Sequence, residues 1–136
     1  PISVSPTYGS SLHSEGSVLL ISTGPILSEL LALLPLLTEN SCTIISVNSL
    51  KPLDTYFLDQ YLTSSTKHVV TLEEHSIIGG LGSIVGDYIL SSRFSPNLHK
   101  CGINDYYEHT LGTQCYLREL HGLSASKLLP FIQSLL

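Results

Sequence analysis

Positions 73–75 set two glutamates beside a histidine, and glycines follow at Gly79, Gly80 and Gly82. Two chemistries are open to such a stretch. Paired carboxylates beside an imidazole that titrates near neutrality can do general acid–base work. Glycines ahead of a helix can offer backbone N–H groups to a phosphate. The details weigh against both. The spacing is neither G-x-x-x-x-G-K-[ST] nor G-x-G-x-x-G, and no lysine follows. Two acids just upstream repel a phosphate unless a metal intervenes. Neighbouring strand residues face opposite sides, so Glu73 and Glu74 cannot share one site while the strand lasts. A metal needs further ligands, and His68 lies at the far end of the same strand. The favoured reading is structural. The glycines permit positive φ and let a helix approach the sheet, and Glu73, Glu74 and His75 form a hydrogen-bonded strand end at an interface.

Other reactive side chains are dispersed. Cys42, Cys101 and Cys115 are odd in number, lack C-x-x-C spacing, and read as reduced thiols packed like small hydrophobes. His99, His109 and His121 stand singly and read as surface or packing residues. Tyr56, Phe57 and Tyr61 fit the core face of a helix better than a cofactor box.

The elements that must position these groups follow from periodicity. Continuous apolar runs at 17–22 (SVLLIS), 43–47 (TIISV) and 68–72 (HVVTL) read as buried strands, and 97–103 as a fourth. Pro25 suits the first position of a helix that Pro35 ends or bends, and which is apolar on nearly all sides. Residues 51–54 open a second helix with Leu53, Phe57, Leu58, Tyr61 and Leu62 on one face. Leu81, Ile84, Val85, Tyr88 and Ile89 give the helix after the glycines one buried face. A short helix is expected at 114–120. Ser124 caps a last one that turns Leu128, Leu129, Ile132 and Leu136 inward. Alternating strands and helices imply a mainly parallel sheet covered on both faces. Ligands and partners then dock at the strands' carboxyl ends, where residues 73–75 and 48–51 fall.

The 136 residues suit one domain, with 1–16 a linker or short edge strand and 17–136 the α/β domain. A 43% hydrophobic, 12% charged composition indicates a large core, or surface hidden against a partner. Net charge is −5, and the six Lys and Arg are scattered, which argues against nucleic acid. No apolar run spans a membrane and no signal-peptide pattern appears, so the expected location is cytoplasmic. The chain starts at Pro1 and has no methionine, as expected of a processed protein or an excised fragment.

SLKPLD (49–54), VVTLEEH (69–75), GGLGS (79–83) and the closing HGLSASKLLPFI form an ordered series. Together they resemble the C-terminal domain of transketolase-type enzymes, over about residues 17–136. The EEHSIIGGLGS stretch is most similar to the C-terminal half of short, split transketolases. Gly102, Asp105, Gly112 and Thr113 are also compatible with 1-deoxyxylulose-5-phosphate synthases, and 2-oxoacid dehydrogenase β subunits look more distant. Where short transketolases tend to show F-G-x-S-G, residues 107–112 here match only at the last glycine.

The resemblance implies a three-layer α/β/α domain with a five-stranded, mostly parallel mixed sheet whose first, antiparallel strand is residues 2–4. It implies a parent enzyme that uses thiamine diphosphate and Mg to move two-carbon ketol units between sugar phosphates. In such enzymes the cofactor sits between pyrimidine- and diphosphate-binding domains, and this chain carries no metal-binding G-D-G motif. This domain is therefore expected to be non-catalytic, to hold no cofactor or metal itself, and to contact those domains within a homodimer. A stand-alone interaction module, and a small enzyme using Glu74, His75 or a cysteine, are the competing expectations.

Overall fold

The computed structural model describes residues 16–37 and 42–136. Four strands form one sheet: β1 (Val18–Ser22), β2 (Cys42–Ser46), β3 (His68–Ser76) and β4 (Asn97–Ile103). Their order is β2-β1-β3-β4 and every pairing is parallel. The expected mixed five-stranded sheet is thus a parallel four-stranded one among the described residues. The proposed fifth strand, residues 2–4, and the linker up to residue 15 lie outside them.

The helices are α1 (Leu27–Leu33), α2 (Thr55–Asp59), α3 (Leu81–Ser91), α4 (Gln114–Leu120) and α5 (Ala125–Gln133). Period-2 alternation along the strands divides the core in two. Val18, Leu20, Ile44, Val70 and Leu72 pack against α1 and α5 through Leu30, Leu33, Leu128 and Ile132. Leu19, Ile21, Ile45 and Val69 pack against α2 and α3 through Phe57, Leu58, Val85 and Ile89. That is the three-layer α/β/α arrangement.

Local chemistry explains the boundaries. Pro25 sits in a 3-10 turn (Gly24–Ile26) that leads into α1, and Pro35 sits in another that ends it. The segment is not buried all round, because Leu31 and Leu36 are exposed. The Asp54 carboxylate accepts from the Phe57 N–H at 2.9 Å, so α2 starts after the K-P-L-D turn and not within it. Tyr56 departs from the expected core face and is exposed, while Phe57 is buried. Of the residues assigned inward on the last helix, Leu136 lies past the end of α5 and is exposed.

Two differences matter for the site. First, β3 runs on through Ser76, so Glu73, Glu74 and His75 lie within the strand. Second, the β3–β4 register shifts there. Leu72 pairs with Cys101 and Ser76 with Ile103, so β3 bulges over Gly102. A Cβ on Gly102 would lie 2.9 Å from the His75 carbonyl oxygen and 3.2 Å from Glu73 Cγ, so only glycine fits under the bulge.

Candidate functional site: the carboxyl ends of the strands

Glu73 points toward α3 and is buried. Its carboxylate accepts from the backbone N–H groups of Leu81 at 2.7 Å and Gly82 at 2.9 Å. The first turn of any helix has unpaired N–H donors and a partial positive charge. Here a carboxylate from the neighbouring strand occupies that position, and the helix residue at its start, Gly80, supplies no side-chain cap. The phosphate cradle considered above is therefore filled from within the chain. The glycines have separate reasons. Gly79 has φ of 76°, in the left-handed region. A Cβ on Gly80 would fall on the Glu73 carboxylate. A Cβ on Gly82 would lie 2.5 Å from Lys100 Cδ and 2.8 Å from Thr71 Oγ1. Both structural roles read from the sequence, positive φ and close approach, are present.

Glu74 points to the other side, as strand alternation requires. Arg118 Nε of α4 donates to Glu74 Oε1 at 2.7 Å, and Gln114 Nε2 donates to the same carboxylate at 3.0 and 3.2 Å. Arg118 Nη1 donates to Glu29 Oε1 of α1 at 3.0 Å, and Glu29 Oε2 accepts the Ala125 N–H that begins α5 at 2.8 Å. One guanidinium thus ties β3, α1 and α4 together and orients the cap of α5. The hydrogen bond to Glu74, opposed by burial and reinforced by Glu29, holds the Arg118 pKa above its usual value. Ser124 does mark the start of α5, but Glu29 caps the helix, and the Ser124 hydroxyl donates to Glu119 instead.

The acid and imidazole cluster is therefore not one site. Glu73 serves α3 and Glu74 serves Arg118. His75 is exposed, with a 3.5 Å contact to the Ser76 carbonyl oxygen. His68, at the strand's other end, lies 3.1 Å from His99 between ring nitrogens, and His99 stands edge-on to Phe131. Cys42 is buried, Cys101 half-buried with its thiol pushed up to about 11 by burial, and Cys115 exposed, so Cys115 departs from the packed-hydrophobe reading. Among the described residues no three His, Cys, Asp or Glu side chains are grouped to hold a metal. Nor is any helix among them long and apolar enough to cross a membrane.

Two clefts open here, each of about 340 Å³. One lies at the switch between β1 and β3, lined by Thr23, Pro25, Leu50, Glu74, His75 and Gly79. The other lies by α4, lined by Glu74, Ile103, Gln114, Leu117, Arg118 and His121. Each carboxylate beside them is engaged by donors of its own domain, Glu73 by two backbone N–H groups and Glu74 by Gln114 and Arg118. Sequence reasoning missed Arg118 and Glu29, since their pairing spans 89 positions and leaves no spacing signal.

The sequence profile of the transketolase C-terminal domain matches residues 8–128. The chain belongs to the transketolase C-terminal domain family. It is 35% identical over 102 residues to a 1-deoxy-D-xylulose-5-phosphate synthase of Chlorobium luteolum, covering 68% of this chain and 16% of that enzyme. It is 38% identical over 120 residues to the synthase of Chlorobium phaeovibrioides, covering 82% and 19%. It is 29% identical over 126 residues to one of the subunits of an apulose-4-phosphate transketolase from Actinobacillus succinogenes, covering 91% and 40%. In three dimensions it is similar to a split-gene transketolase described as an inactive β4 tetramer, with a TM-score of 0.75 and 27% identity over 95% of this chain and 41% of that one. The chain thus spans less than half the length of each of these relatives.

Proposed function

We propose that this chain is the C-terminal domain or subunit of a thiamine-diphosphate-dependent transketolase. The assembled enzyme transfers two-carbon ketol units between sugar phosphates, as a cytoplasmic homodimer. This domain supplies packing and subunit contacts, and other sections supply the reacting groups. The engagement of Glu73 and Glu74 by donors of their own domain supports this reading most. Groups already used in this way do not fit a diphosphate or its Mg, so the cofactor would be held by the pyrimidine- and diphosphate-binding sections. A second reading, a 1-deoxyxylulose-5-phosphate synthase, is supported by the 35% and 38% identities to such enzymes, beside 34% to a putative transketolase C-terminal section of Methanocaldococcus jannaschii.

Assays of the chain alone and combined with the thiamine-binding section encoded with it test both readings. The chain alone is expected to be inactive, and the combination to transfer ketol units from a ketose phosphate to an aldose phosphate. Formation of 1-deoxyxylulose 5-phosphate instead would select the second reading. Activity of the chain alone would overturn the non-catalytic assignment.

A further inference from the structure

Residues 104–116 leave β4 and reach α4 with every position exposed. Tyr107 is 91% exposed and Leu111 is 96% exposed, and Tyr106 and Tyr116 are also exposed. Single exposed apolar residues are ordinary, but a run of them on one segment marks an interaction surface. Two polar side chains of this segment, Tyr106 and Glu108, reach His121. Tyr106 Oη lies 3.2 Å from His121 Nδ1, and His121 Nε2 lies 3.2 Å from Glu108 Oε2. The other Glu108 oxygen accepts from the Thr110 N–H at 2.6 Å. His121, at the end of α4, thus pins the arm while Tyr107 and Leu111 face solvent. This pre-organises two apolar anchors at low entropic cost to a partner.

We infer that residues 104–116 are a docking arm, and that their occupant is the thiamine-binding section of the same enzyme, through an apolar surface rimmed by cationic groups. The inference rests on the function proposed above and names the contact. The relatives carry more than half their length outside the region matched here, which provides a covering body. Charge argues against a second copy of this chain. The arm has acids at Asp105 and Glu108 and no Lys or Arg, so two arms meeting would oppose like charges.

The test measures binding of the purified chain to the thiamine-binding section encoded with it, for wild type and for Tyr107→Ser with Leu111→Ser. Both side chains contact solvent, so the variant's Tm should equal that of wild type, which separates docking from folding. The variant is expected to bind about 30-fold or more weakly, the effect of removing a hot-spot anchor. Equal binding by an equally stable variant would overturn the arm and leave the proposed function standing. Wild-type self-association that the variant abolishes would overturn the choice of occupant. If the wild-type chain does not bind that section at all, both inferences fall.

Discussion

Glu73 and Arg118 carry the organisation of the strand ends, and each makes a distinct prediction. In Glu73→Gln, one buried N–H of α3 faces an amide NH2 and the charge that complements the helix is lost. The expected cost is about 2 kcal/mol by urea unfolding. Gly80→Ala places a methyl group where the carboxylate sits. Its cost should be large in wild type and much smaller in Glu73→Ala, because both changes break the same contact. Additive costs in that double-mutant cycle would refute the shared cap. Arg118→Lys keeps the charge but cannot hold Glu74 and Glu29 at once through separate nitrogens. It should cost about 1–2 kcal/mol, since one partly buried carboxylate loses its charged donor and keeps only a neutral one.

At the scale of elements, strand alternation sends Glu73 and Glu74 to different helices, and β3 bulges over Gly102 beside them. Gly102→Ala pushes a methyl group to within 2.9 Å of the His75 carbonyl oxygen. The expected result is faster amide hydrogen exchange at 73–77, with β1 and β2 unchanged, and a loss of about 1–3 kcal/mol. The bulge also shows where sequence reading stops. Strand β4 and helix α4 fall where periodicity puts them, at Asn97–Ile103 and Gln114–Leu120. The apolar runs locate the other strands within a residue or so at their starts. The end of β3 is different, because its hydrophobic signal ceases at Leu72 while hydrogen bonding continues through Ser76. Polar residues in a strand look like loop unless their partners are known. The same reason hides the Glu29–Arg118–Glu74 chain, whose members are joined only by tertiary folding. The glycines are legible as a close turn, but the group they close upon is not.

The whole molecule has two poles. The carboxyl ends of the strands hold the bulge, the clefts and the arm. The amino ends hold His68 and His99. Burial first, and then the charge of His68, lowers the His99 pKa below the 6.5 of the free side chain. The unfolded state therefore binds more protons in this range, and stability rises with pH. It is fully present above the unfolded value and declines as pH falls from there toward the lower folded one. Thermal unfolding between pH 7.5 and 5 should show this slope in wild type and a shallower one in His99→Gln. Assembly at the opposite pole should be unaffected. A slope that is unchanged by His99→Gln would assign the acid sensitivity elsewhere.

The carboxylate that seals the start of α3 has one more consequence. Truncation to Glu73→Ala would leave a vacancy with the shape and polarity of a small organic acid, bordered by the N–H groups of Leu81 and Gly82. Acetate or formate should enter that vacancy and restore stability to the truncated protein in a saturable way, while leaving wild type untouched. The corner that other folds keep open for external anions would here become a receptor only when its resident carboxylate is removed.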